Sequence, residues 1–74
     1  RDRAVEALLM GLRLREGVDV DRIATRSGFA KPVDMAAVTR LSALGLIEFA
    51  PPRLTVTERG FGVLDAILAE VVAD

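Results

Sequence analysis

Cysteine and histidine are absent from this 74-residue chain, and so are tryptophan and tyrosine. Zinc sites, iron–sulfur clusters and thiol or Ser-His-Asp catalysis depend on cysteine or histidine. We therefore expect no catalytic residue, no metal ligand and no cofactor ligand in the chain. No apolar run approaches the roughly 18 residues of a membrane span, and no signal-peptide pattern is present, so a cytoplasmic location is the expectation.

The chain has enough apolar residues for one small domain. Hydrophobic residues make up 51% of it, and the formal net charge is −1. This composition predicts a folded, aliphatic core, and the charge gives no general reason to bind nucleic acid or an anionic membrane. The chain begins at Arg1 without an initiator methionine and runs directly into a helical pattern, so we expect it to be a piece of a longer protein.

The first helix is predicted over about residues 2–15. Its core face is predicted from apolar residues at helical spacing, namely Val5, Leu8, Leu9 and Leu12. Gly17 is a suitable C-terminal cap, and Arg13 and Arg15 favour the negative end of the helix dipole. The Leu-Arg alternation of residues 12–15 is therefore interpreted as the end of a helix, followed by Val18 as a short extended link.

Two further helices follow. Asp19 is a predicted N-cap for a second helix that ends at Gly28, and Pro32 is predicted to open a third that ends at Gly45. The inner face of this third helix is predicted to carry Ala37, Val38, Leu41 and Leu44. Two short helices joined by a glycine-containing turn are typical of a helix-turn-helix.

The last third of the chain predicts a hairpin and a helix. Residues 46–49 and 53–56 have strand character and flank Ala50-Pro51-Pro52, as in a wing. Thr57 is a predicted N-cap for a final helix, with Phe61, Leu64, Leu68 and Val71 on one face. The predicted fold is mainly α with a small β-hairpin, a winged helix that fills residues 1–74 as a single domain.

A winged helix suggests DNA binding, but the charge on the expected reading face is small. Residues 19–44 carry four basic and three acidic side chains, and the tip of the wing offers Arg53 alone. Phosphate contacts dominate the affinity of DNA-binding domains, so nucleic acid is not the expected partner. A DNA-binding regulator module stays open as the alternative, and a generic protein-interaction domain is a third reading.

The first helix also carries apolar residues on the side opposite its predicted core face. Ala7, Met10 and Leu14 lie there, flanked by Ala4 and Gly11. A helix with two apolar faces is normally buried on both, and a glycine inside a helix is costly unless it permits close backbone approach. We predict an interdomain contact that consists of Ala7, Met10, Gly11, Arg13, Leu14 and Arg15, with the two arginines at its rim.

Three stretches resemble a known family. They read LLMGLRLREGVD, LSALGLIEF and RLTVTERGFGVLDAILAE, and they are similar to the C-terminal domain of the oxygen-independent coproporphyrinogen III oxidase-like proteins, the HemN/HemW group that includes haem chaperones. The resemblance covers nearly the whole chain, and its most specific part runs from Met10 to Asp19.

The resemblance implies a parent protein with an N-terminal radical S-adenosylmethionine barrel, against which this domain packs near the substrate or haem site. The parent would hold a [4Fe–4S] cluster on a CxxxCxxC motif and bind S-adenosylmethionine. None of those ligands can be assigned to this chain, since it contains no cysteine. The resemblance leaves haem binding open and does not separate the oxidases from the chaperone-like branch, although the MGLRL-EG wording is more similar to the latter.

Overall fold

The computed structural model describes residues 2–72, which form five helices and a three-stranded antiparallel sheet. In chain order the elements are α1 (Asp2–Gly11), β1 (Val18–Asp19), α2 (Val20–Ser27), α3 (Met35–Ala43), β2 (Ile47–Ala50), β3 (Arg53–Val56), α4 (Glu58–Phe61) and α5 (Leu64–Val71). The strand order is β1-β3-β2. The predicted order of helices around a hairpin is confirmed, and the fold is a mixed α/β domain.

Helix α1 is shorter than predicted. It ends at Gly11 rather than at residue 15, and two turns follow, closed by the amide of Leu14 on the Gly11 carbonyl (3.1 Å) and the amide of Gly17 on the Leu14 carbonyl (3.0 Å). Gly17 adopts φ +67°, and a Cβ there would overlap the carbonyl oxygen of Leu54 on β3. The interpretation of the Leu-Arg alternation as a helix end is therefore wrong, because the chain turns there to meet the sheet.

The buried side of α1 and of the residue that follows it is formed by Ala4, Leu8 and Leu12, at most 1% exposed. Leu8 and Leu12 confirm the predicted core face, whereas Val5 and Leu9 are only half-buried. The placement of Ala4 on the opposite side is wrong. The residues at i, i+4 and i+8 share one side of a helix and belong to the single apolar core.

Helix α2 begins and ends where the sequence predicted. The Asp19 carboxylate accepts the amide of Arg22 (2.9 Å), and Gly28 ends the helix with φ +72°. Helix α3 begins later than predicted, since Asp34 rather than Pro32 stands before its first turn and accepts the amides of Ala36 and Ala37.

The delayed start of α3 has a tertiary cause. Val33 forms a β-bridge with Val72, and the Asp34 amide donates to the Val71 carbonyl (2.8 Å), so residues 31–34 are held extended. At the other end of α3, Ala37, Val38 and Leu41 are buried as predicted, but Leu44 is 56% exposed and does not belong to the inner face.

The sheet contains the predicted hairpin and one additional strand. Strands β2 and β3 pair around Pro51-Pro52, with Phe49 opposite Leu54. Val18 was predicted to be a short extended link, yet it pairs with Leu54, and Asp19 pairs with Arg53, so that the two residues form strand β1. This third strand connects the turns after α1 to β3, the central strand of the sheet.

The final helix is interrupted. Thr57 caps α4 as predicted, since its hydroxyl oxygen accepts the Gly60 amide (3.0 Å) and donates to the Gly45 carbonyl (2.7 Å). The helix is interrupted at residues 62–63, and α5 then extends from Leu64 to Val71. Leu68 and Val71 are buried as expected, and the sequence pattern missed Ile67, which is 1% exposed.

These elements enclose one aliphatic core, and the described residues include no buried polar or charged side chain. A few large apolar side chains remain outside it, namely Met10, Leu14, Met35, Leu44 and Val63. Over the described residues, no helix is both long and apolar enough to cross a membrane.

Candidate interdomain contact surface

The six residues predicted to form an interdomain contact divide into two groups. Ala7 and Gly11 are half-buried and face the interior, whereas Met10, Arg13, Leu14 and Arg15 are exposed. Met10 is 73% exposed and Leu14 is 52% exposed. The four exposed residues are here named the α1-end patch.

Gly11 serves a contact within the domain. A Cβ at this position would overlap Cγ1 of Val18, the first residue of β1. Because glycine lacks that atom, the end of α1 can lie directly against the strand. The close approach that the sequence predicted at Gly11 is therefore made by Val18 of this chain.

Ala7 also turns toward the rest of the domain. It packs against the buried core, and it lines a groove between α1 and α2. The outward apolar surface at this end of the molecule therefore consists of Met10, on the last turn of α1, and Leu14, in the turns that follow.

The turn that presents Leu14 is held by local hydrogen bonds. The Arg13 Nε donates to the Leu9 carbonyl (3.0 Å), and the last carbonyls of a helix otherwise lack partners. Arg53 on β3 donates through its guanidinium to the Glu16 carbonyl (2.6 Å) from the other side. The sheet and the helix end together fix the segment that carries Leu14.

Two arginines of the helix-turn-helix and its wing form contacts within the chain. On α3, the exposed Arg40 forms a salt bridge with Glu70 of α5. On the hairpin, Arg53 is hydrogen-bonded to the loop before β1. The arginine of α3 and the arginine of the wing are both engaged by other parts of the same chain.

A groove between α1 and α2 was missed by sequence reasoning. It is lined by three arginines, Arg3, Arg22 and Arg26, and its remaining lining residues are Ala7, Val18, Asp19, Ile23 and Ser27. Arg22 and Arg26 lie four residues apart on α2, so they share a face. That spacing was visible in the sequence, but the contribution of Arg3 depends on how α1 packs against α2.

The described residues contain no cluster of three or more acidic side chains that would hold a metal ion. The chain contains no cysteine and no histidine, so thiolate and imidazole ligands are absent from this part of the molecule. Two surface features of the described residues, the α1-end patch and the arginine groove, are suited to binding, and a larger pocket lies along the segment that precedes α3.

The comparisons with known proteins identify one family. The family model described as the HemN C-terminal domain matches residues 1–63, and thus includes both the α1-end patch and the arginine groove. No curated protein and no solved structure matches the chain. Because the matched region is most of the chain, the protein belongs to the HemN C-terminal domain family.

Proposed function

We propose that this chain is the non-catalytic C-terminal accessory domain of an oxygen-independent coproporphyrinogen III oxidase-like radical S-adenosylmethionine protein. The observation that carries the proposal is membership of the HemN C-terminal domain family. Its role is to pack against the catalytic barrel of the same parent protein, in haem biosynthesis or haem delivery. The arrangement of α2, α3 and the β2–β3 hairpin serves there as a winged helix that supports the contact.

The α1-end patch is the proposed contact with the barrel. Met10 and Leu14 are among the few large apolar side chains left outside the core, and Arg13 and Arg15 stand beside them. Apolar anchors surrounded by polar or charged side chains are the usual composition of an interface centre and rim. Burial of these two side chains in a contact would remove their apolar surface from water.

The cofactors of the proposed parent belong to its barrel. Cysteine thiolates hold a [4Fe–4S] cluster, and this chain has none, so its residues do not fit that group. The cluster and S-adenosylmethionine would supply the radical chemistry of the parent. The contribution of this chain is limited to positioning and to covering apolar surface close to the porphyrin or haem.

The upstream coding sequence tests the proposal at the level of the parent. We expect it to encode a barrel with a CxxxCxxC motif in the same reading frame. A reading frame that starts at or just before Arg1, with no three-cysteine motif upstream, would contradict the proposal.

A second test addresses the contact itself. Leu14→Asp is expected to leave the fold of the 74-residue chain nearly unchanged and to weaken its association with the separately produced barrel. Leu44→Asp is a matched control, because Leu44 is similarly exposed, at 56%, but lies at the end of α3. Equal loss of association in both variants would show that the contact does not involve the α1-end patch.

DNA binding is the alternative function, and the pairing of Arg40 with Glu70 gives it no support. DNA-binding domains usually place several arginines and lysines on phosphates. We therefore expect no change in the anisotropy of labelled duplex DNA at low salt and micromolar protein. Saturable binding that is lost in Arg40→Ala would favour the regulator instead.

A further inference from the structure

The groove between α1 and α2 concentrates positive charge in a chain that is acidic overall. It contains three of the ten basic residues of the chain and one acidic residue, Asp19. The Asp19 carboxylate accepts the amide of Arg22 and caps the N-terminus of α2. The groove is therefore positively charged while the whole chain has a net charge of −1.

The floor of the groove is apolar. Its apolar lining residues are Ala7, Val18 and Ile23, and all three are buried or half-buried. Arginine stems cover apolar surface while their guanidinium groups stay in water. A ligand that fits this groove needs aliphatic groups for the floor and anionic groups for the rim.

The groove and the α1-end patch both include residues from one side of α1. Arg3, Ala7 and Met10 are spaced at i, i+4 and i+7, so they share a side of the helix. A partner that covers Met10 and extends toward the beginning of α1 meets the groove next. The face of α1 thus passes from a basic end at Arg3 to an apolar end at Met10.

We propose that this groove binds an acidic, aliphatic polypeptide segment, with carboxylates on Arg3, Arg22 and Arg26 and aliphatic side chains on Ala7 and Ile23. The inference rests on the proposed packing, because the segment belongs to the surface that covers the α1-end patch. The positive charge of the groove favours carboxylates, and its apolar floor favours aliphatic side chains. Guanidinium groups bind carboxylates through paired, charge-assisted hydrogen bonds.

The test uses a short helical peptide of glutamate and leucine, titrated into the ¹⁵N-labelled chain. We expect amide shifts confined to residues 3–10 and 18–27. The peptide in which glutamine replaces every glutamate is expected to bind at least about tenfold more weakly, because the charge-assisted bonds are lost.

The variant Arg22→Glu/Arg26→Glu is expected to weaken peptide binding by about tenfold for each arginine. Its matched control is Lys31→Glu/Arg59→Glu, which has the same change in charge at exposed residues outside the groove. Arg22→Gln/Arg26→Gln removes the charge without reversing it and keeps the test valid if the first variant unfolds.

Three results with the 74-residue chain would overturn the inference. The first is no binding of the acidic peptide, and the second is an equal loss of peptide affinity in the groove variant and its control. The third is binding of oligothymidylate as tight as that of the peptide, which would assign the groove to nucleic acid. The proposed packing is judged separately, by association with the barrel. If that association needs Leu14 but is unchanged in Arg22→Glu/Arg26→Glu, the packing stands and the groove inference fails.

Discussion

Leu12 and Leu14 offer a direct comparison, since the same deletion can be made at two leucines only two residues apart. Leu12 is fully buried, whereas Leu14 is 52% exposed. Truncation of a buried leucine to alanine costs about 2–5 kcal/mol of unfolding free energy, because a cavity is left behind. Full burial of a leucine contributes about 1.5–3 kcal/mol, so truncation of the half-exposed Leu14 should cost about 1 kcal/mol.

These magnitudes are large relative to the stability of so small a domain. At about 0.05–0.15 kcal/mol per residue, this chain has roughly 4–11 kcal/mol in total. A loss of 1 kcal/mol lowers the Tm of a domain of this size by about 4–8 °C. Leu12→Ala should therefore lower the Tm by about 10 °C or more, and Leu14→Ala by less than about 8 °C.

Thermal and urea unfolding followed by far-ultraviolet circular dichroism measures both losses. Leu8→Ala is the buried control and Leu44→Ala the exposed one, since Leu8 is fully buried and Leu44 is 56% exposed. Equal destabilisation by Leu12→Ala and Leu14→Ala would refute the difference in burial between these two residues, and would place Leu14 in the core.

Two further substitutions test the contacts that shape the fold. Gly17→Ala should lower the free energy of unfolding by at least about 2 kcal/mol, because alanine at φ +67° is strained and its Cβ would overlap the Leu54 carbonyl. A loss below about 0.5 kcal/mol in urea unfolding would show that β3 does not approach this turn. Thr57→Ala should cost about 1–2 kcal/mol, because both the cap on Gly60 and the bond to the Gly45 carbonyl are lost, whereas Thr57→Ser should retain most of the stability in the same assay.

The sequence predicted the elements whose signals are local. Asp19 and Thr57 are followed by helices that they cap, and the prolines at 51–52 lie between two strands, as expected. In each case a side chain meets the requirement of the backbone next to it, so a single short stretch contains the whole signal.

The errors occurred where distant parts of the chain meet. Residues 12–15 have acceptable helix propensity, but Val18 pairs with Leu54 and the chain has to leave the helix to reach it. Pro32 suits the start of a helix, but Val33 pairs with Val72. Tertiary pairing overrides local preference in both places, and no pattern in one stretch reveals the partner.

The candidate site was predicted in part for the same reason. Met10 and Leu14 were expected to be exposed apolar residues, and they are. Gly11 was predicted to permit a close approach by another part of the parent, because glycine is costly inside a helix, but the structure explains it by the contact with Val18. The arginine groove was not predicted, because its arginines come from two helices and the sequence of neither helix shows how the two pack together.

Oxidation of methionine in the intact parent protein is the most direct measurement of the central proposal, the packing of this domain on a barrel. The chain has two methionines, and in the structure Met10 is 73% exposed and Met35 is 49% exposed. Exposed thioethers are oxidised readily to sulfoxides, and mass spectrometry reports the rate at each position. We expect Met10 to be protected in the parent but not in the 74-residue chain, and Met35 to react similarly in both. Equal oxidation of Met10 in the two proteins would show that the barrel does not cover the α1-end patch.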